Sequence, residues 1–158
     1  MEIRVLFLLF IQVLYAQICV PLIFDNYQNS SLTISGIGEM CDCQKYQFMN
    51  NINENNQNKT EIISNITTVK IEDTITSIGS YCFAEWPKLQ TIQLGKGIQI
   101  IHFGAFYHTS LTSIVFPNSI KQIERYAFAE CNELQNVEFE TNENEISVDS
   151  YSFEIVEN

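Results

Sequence analysis

Residues 116–131, FPNSIKQIERYAFAEC, gather a lysine, an arginine, two glutamates, a tyrosine and a cysteine. Such side chains act as general acids, general bases and nucleophiles when the fold makes them converge. Elsewhere the candidates are few. His102 and His108 are the two histidines, and Cys41-Asp42-Cys43 is the one close pair among five cysteines. Zinc takes such ligands, but needs three or four of them at one point. The histidines fall in different parts of one segment, and C-x-C alone is too weak a spacing to assign zinc or redox chemistry. No G-x-S-x-G, H-E-x-x-H, C-x-x-C or phosphate-loop motif occurs. The sequence therefore predicts no catalytic residue, no cofactor site and no metal site, and an enzyme is not expected.

The elements around those residues explain them better. Segments starting at Ile66, Leu89, Leu111 and Leu134 repeat one apolar pattern, with starts 23, 22 and 23 residues apart. Ile66, Val69, Ile71, Ile75, Ile78 and Phe83 recur as Leu89, Ile92, Leu94, Ile98, Ile101 and Phe106, and again as Leu111, Ile114, Phe116, Ile120, Ile123 and Phe128. The fourth segment keeps Leu134, Val137 and Phe139, carries an acidic insertion, and resumes at Val148 and Phe153. A period of this length opening L-x-x-I-x-L signals a solenoid. Ordering a residue costs about 1–2 kcal/mol of backbone entropy, and an isolated coil cannot bury enough apolar surface to offset it. Each coil must be covered by its neighbours. In the 116–131 stretch, Ile120, Ile123, Ala127 and Phe128 then point inward, with Lys121, Gln122, Glu124 and Arg125 on the wet side. Cys131 shares a slot with Trp86 and Thr109, and Cys82 shares one with Ala105 and Ala127. Both cysteines are expected as small buried residues, too far apart to bridge each other. His102 falls in the slot of Gly79 and Glu124 and is expected to be exposed.

LTSIVFPNSIKQIERYAFAEC, residues 111–131, resembles the repeat of the BspA-like leucine-rich-repeat surface antigens, L-x-x-I-x-[IF]-P-x-S-[IV]-x-x-I-x-x-x-A-F-x-x-C. The resemblance runs from residue 66 to about 153. Gly79 fits a glycine common in that family, whereas His102 and Glu124 depart from it. Thr74, Gly97 and Ser119 stand where commoner leucine-rich repeats have asparagine. The expected fold is a leucine-rich-repeat solenoid of the α/β horseshoe type, mostly β with short helical turns, in about four repeats of 22–25 residues. The resemblance implies a secreted or cell-surface protein that binds other macromolecules, often in adhesion, and no catalytic residues.

If it binds, the outward strand positions are the candidates. They form columns Thr68, Thr91, Ser113, Asn136 and Lys70, Gln93, Val115, Glu138, with Glu72, Gly95, Pro117 and Glu140 as a third. The net charge of −11 disfavours nucleic acid and anionic membranes as partners. Residues 126–158 hold nine acids and no Lys or Arg, a solvated acidic end that would also repel a second copy. The expected partner is a protein or another cell-surface or matrix macromolecule. The alternative is a short structural or truncated repeat fragment without a ligand of its own.

The N-terminus fits the same compartment. Arg4, an apolar run to Tyr15 and then Ala16 read as a signal peptide over residues 1–16. Uncleaved, the apolar stretch continuing to Phe24 would anchor the chain in a membrane. Residues 17–46 are read as an N-terminal cap containing a strand at Leu32–Ile34. Residues 47–61 are read as an Asn-rich loop, and 62–158 as the repeats. Asn29, Asn58 and Asn65 each open a glycosylation triplet. Five cysteines cannot all pair within one chain, and a bridge from Cys19 to Cys41 or Cys43 is expected to clamp the cap.

Overall fold

A computed structural model describes residues 23–28, 30–43, 63–140 and 145–155. In each coil the alternation of L-x-x-I-x-L sends two apolar side chains to one face, as a strand requires. The results are β4 (Thr68–Ile71), β6 (Thr91–Gln93), β8 (Ser113–Phe116) and β10 (Asn136–Phe139). A second strand follows each one: β5 (Ile75–Ile78), β7 (Ile100–Ile101), β9 (Gln122–Ile123) and β11 (Ser147–Val148). Ahead of them lie β1 (Ile23–Gln28), β2 (Ser31–Ser35) and β3 (Gly38–Glu39).

Like strands stack on like. One sheet has the order β1-β2-β4-β6-β8-β10 and the other β11-β9-β7-β5-β3. All pairings are parallel except β1 with β2, where the chain folds back at the N-terminal edge. Registers run in step, so that Val69 faces Ile92 and Val137 faces Ile114. The columns read from the repeat are therefore real stacks.

The third side of the coil differs from expectation. Among the described residues every regular element is a strand, and no helix lies where a horseshoe carries one. Turns take its place. Cys82, Ala105 and Ala127 donate their N–H to the carbonyls of Gly79, His102 and Glu124, three residues back. The residue before each of these donors is left-handed: Tyr81, Gly104 and Tyr126 have φ of 60°, 59° and 59°. Such a conformation costs a side-chain-bearing residue on the order of 1–3 kcal/mol. What offsets it is a third ladder between coils. Phe83 N–H donates to Ala105 C=O, Phe106 to Ala127 and Phe128 to Ser152, at 2.8, 2.8 and 2.7 Å. A helix would turn those groups along its own axis and lose the ladder.

The core is a set of columns. Phe83, Phe106, Phe128 and Phe153 stack ring over ring, with centroids 5.2, 5.1 and 5.1 Å apart and interplanar angles of 11° or less. Their spacing is close to the ~4.8 Å between strands, so the backbone repeat itself sets the aromatic stack. Trp86 meets Phe83 edge-on at 5.1 Å. Ile75, Ile78, Ile98, Ile101, Ile120 and Ile123 fill the interior beside them. In the last coil Val137 and Phe139 are half-exposed, because nothing lies beyond them in the described residues.

The cap is joined covalently to the first coil. Cys43 and Cys82 form a disulfide with Cα atoms 4.7 Å apart. This corrects two expectations. Cys82 is buried as foreseen but is not a free packing residue, and Cys43 is not available to Cys19. Cys41 is also disulfide-bonded, while Cys19 lies outside the described residues. Beside the bridge, a Cβ on Gly79 would sit 2.0 Å from the Cys41 carbonyl oxygen, so the cap can close only against glycine. The segments read as signal peptide and Asn-rich loop lie outside the described residues, as does Asn58. The cap is described over 23–28 and 30–43.

Replacing Phe106 by alanine empties the middle of the aromatic stack. We expect a loss of about 3–5 kcal/mol in chemical denaturation, the usual range for deleting a buried phenylalanine. An unchanged midpoint would contradict the stacking.

Candidate interaction surface

The larger sheet turns one face inward and presents the other to solvent. In β4 the pattern is half-buried, buried, exposed, buried, and β8 repeats it. Register carries this across strands: Thr68 faces Thr91, Thr91 faces Ser113, and Ser113 faces Asn136. Lys70 faces Gln93, and Val115 faces Glu138. All eight predicted positions are thus gathered on one face, with Lys70, Thr91, Gln93, Val115, Asn136 and Glu138 exposed and Thr68 and Ser113 half-buried.

The cap extends this face. Ser31 pairs with Thr68 and Thr33 with Lys70, which adds one member to each column. Sequence reasoning saw a strand at Leu32–Ile34 but not its register; the alternation around Leu32 and Ile34 was the available signal. Beyond Thr33 the column passes from basic Lys70 through neutral Gln93 and Val115 to acidic Glu138. Its electrostatic gradient therefore runs along the stack.

The third column does not extend the face. Glu72 and Glu140 are exposed, but Gly95 and Pro117 are buried. The chain has already turned inward after the strand, and a Cβ on Gly95 would meet the Glu72 carbonyl oxygen at 2.3 Å.

Many carboxylates serve the frame. Glu124 accepts the Phe103 N–H through Oε2 (2.9 Å) and lies 3.0 Å from His102 Nδ1 through Oε1. His102 is consequently half-buried rather than exposed, with its side chain 27% accessible. Asp73 accepts the Lys96 N–H at 2.9 Å, Asp42 accepts that of Ser80 at 2.8 Å, and Glu140 accepts that of Asn118 at 3.2 Å. Each carboxylate satisfies a corner amide of an adjoining coil, which strand pairing leaves without a partner. Hydrogen bonds from Ser80, through its side chain and then its backbone, hold the Asp42 carboxyl below the ordinary aspartate value.

Among the described residues the groups that could do chemistry do not converge. His108 lies apart from His102, in a cleft of about 480 Å³ with Glu85, Glu130 and Glu133. No three His, Cys, Asp or Glu side chains among the described residues could hold a metal ion. Cys131 is a free, buried thiol. It donates to the Phe106 carbonyl at 3.1 Å and accepts from the Thr109 hydroxyl at 3.2 Å, while burial pushes its pKa up. A thiol so placed stays protonated and unreactive. Of the glycosylation candidates, Asn65 is half-buried with its Oδ1 accepting from Lys88 Nζ at 3.0 Å. Asn29 lies outside the described residues.

The repeat that builds this face has a family counterpart. Residues 60–157 match the model described as BspA type leucine rich repeat region (6 copies). The chain belongs to that family. Two solved structures are also similar. A leucine rich cell surface protein from Faecalibacterium prausnitzii A2-165 is 30% identical with a TM-score of 0.47, over 48% of this chain and 20% of that one. A leucine-rich repeat protein from Eubacterium ventriosum is 20% identical with a TM-score of 0.42, over 72% of this chain and 40% of that one. The chain thus spans a fifth and two-fifths of the lengths of those two proteins. Comparison with curated proteins found no match. BspA-type repeats are protein-binding scaffolds, and residues here that differ from commoner leucine-rich repeats or from the family pattern have structural uses. Ser119, in the asparagine slot, donates its hydroxyl to the Ile98 carbonyl of the preceding coil at 2.6 Å. Glu124, in the glycine slot, bonds the coil before it.

The lowered pKa of Asp42 sets a pH dependence. A depressed carboxylate stabilises the fold above the unfolded value, about 3.9, and that contribution is lost as pH falls through the folded value. Asp42→Asn keeps an acceptor oxygen for Ser80 but cannot titrate. We expect its melting temperature to fall less than that of the parent chain between about pH 5 and pH 2; parallel curves would show that Asp42 contributes nothing.

Proposed function

We propose that this chain is an extracellular binding module that recognises a protein, or another cell-surface or matrix macromolecule, through the open face of its larger sheet. One observation carries the reading: the outward positions of β4, β6, β8 and β10 are aligned in register on one flat face, and β2 continues it. Thr68, Lys70, Thr91, Gln93, Ser113, Val115, Asn136 and Glu138 are the contact residues, joined by Ser31 and Thr33. Adhesion is the role that such a scaffold serves best. Secretion by a leader at residues 1–16, and glycans at Asn29, Asn58 and Asn65, belong to the same proposal. So does the absence of catalysis, for which the described residues offer no assembled nucleophile, acid–base pair or metal site.

Scale shapes the mode of binding. Five parallel strands at ~4.8 Å spacing make a face roughly 19 Å across. A specific interface usually buries about 800 Å² per partner, so one copy binds weakly and several displayed together bind well. Val115, exposed on β8 beside the central strand β6, is the apolar anchor, and Lys70 on β4 supplies a positive charge.

Purified protein should bind a panel of immobilised matrix proteins or whole cells saturably, and Lys70→Glu or Gln93→Glu should weaken that binding without lowering the melting temperature. Exposed substitutions of this kind usually cost less than about 0.5 kcal/mol of stability. Absence of saturable binding to any tested surface would instead favour a structural fragment without a ligand of its own.

A further inference from the structure

The two ends of the larger sheet are unlike. At one end β1 folds antiparallel over β2. At the other, no described strand pairs with the outer edge of β10, nor with that of β11 in the second sheet. The side chains register the difference. Val137 is 40% exposed where its counterparts Val69, Ile92 and Ile114 are 0%, 6% and 1% exposed. Phe139 is 43% exposed where Phe116 is fully buried. Val148, Tyr151 and Ile155 continue the apolar end, and among the described residues from 30 onward only Ile37, Tyr81 and Val115 are comparably exposed elsewhere.

The backbone edge is open as well. The N–H groups of Asn136 and Glu140 reach back to the carbonyls of Thr112 and Phe116, at 3.4 and 2.9 Å. Amides alternate in direction along a strand, so those of Val137 and Phe139 point away from β8. An added strand would find hydrogen-bonding groups and two apolar side chains waiting on the inner face. On the outer face it would find Glu138. From residue 126 onward the sequence has nine acids and no Lys or Arg.

Charge decides the occupant. A second copy pairing edge to edge would set Glu138 against the same acidic coil of its partner, and like charges opposite one another destabilise a strand pair. We propose that the β10 edge takes up an extended polypeptide segment in which apolar residues alternate with lysine or arginine, as one further strand of the sheet. The apolar side chains cover Val137 and Phe139, and the cations stand beside Glu138. Strand addition of this kind takes affinity from main-chain hydrogen bonds and specificity from alternate side chains. The site is the edge of the sheet rather than its open face; the two share Glu138 but not Lys70, and strand addition does not depend on the face holding a partner.

The test uses a labelled peptide of about ten alternating valine and lysine residues, a full strand length, with a valine–glutamate peptide as its counterpart. The lysine peptide should bind the purified chain saturably, and the glutamate peptide should not. Val137→Pro removes an outward amide, and Glu138→Lys reverses the facing charge; each should weaken binding at least about tenfold. Circular dichroism melting shows whether each variant stays folded, and the exposed Glu138→Lys keeps the test valid if proline disrupts β10. Binding should also fall at about 0.5 M salt, where screening is short-ranged. Lys70→Glu, on the sheet face, should leave peptide binding unchanged. Equal binding of both peptides, undiminished binding by the folded variants, or loss of binding in Lys70→Glu alone would overturn the proposal. Sedimentation of the chain as a dimer that Val137→Pro dissolves would assign the edge to a second copy and overturn it too.

Discussion

Coils of 22 or 23 residues have too little interior to stand alone, and the spacing between neighbouring backbones is fixed by hydrogen bonding at ~4.8 Å. Everything else in this molecule is fitted to that spacing. Phenylalanine rings lie one above another at 5.1–5.2 Å because the backbone carries them there. Isoleucines meet isoleucines, and outward residues form columns for the same reason. The tyrosines at the left-handed corners are tolerated because the ladder on the third side holds the backbone in that shape.

The apolar columns were legible in the sequence because they depend only on spacing, and the repeat positions from Ile66 to Phe128 went inward as their period required, Leu94 only in part. Local geometry between coils was not. Cys82 occupies the same slot as Ala105 and Ala127, so its place in the repeat gave no hint that Cys43 would reach it. Gly95 looked like a member of an outward column because it follows the strand by the right count. The chain turns inward one residue earlier, against Glu72. Helical turns were foreseen by analogy with horseshoe solenoids, but the interval from Gly79 to Trp86 is filled by turns that bond to the next coil instead.

The acids illustrate how composition misleads when read alone. By sequence, Glu124 falls on the wet side of its coil and residues 126–158 form a solvated acidic end. Asp42, Asp73, Glu124 and Glu140 each accept a corner amide from an adjoining coil, so part of that charge serves the stacking itself. For the candidate face, register was the missing information. Alternation in the sequence puts the eight positions on one face, yet it could not say that the cap strand lies in step with them and lengthens both columns.

The bridge between Cys43 and Cys82 spans 39 residues of sequence and so closes a covalent ring around everything between them, including the asparagine-rich stretch. A protease that cuts once inside this ring severs the chain without parting its halves. On a gel the nicked protein would travel as one species until a reductant is added, when two fragments separate. A single cut there therefore leaves the stacked strands in one covalent piece.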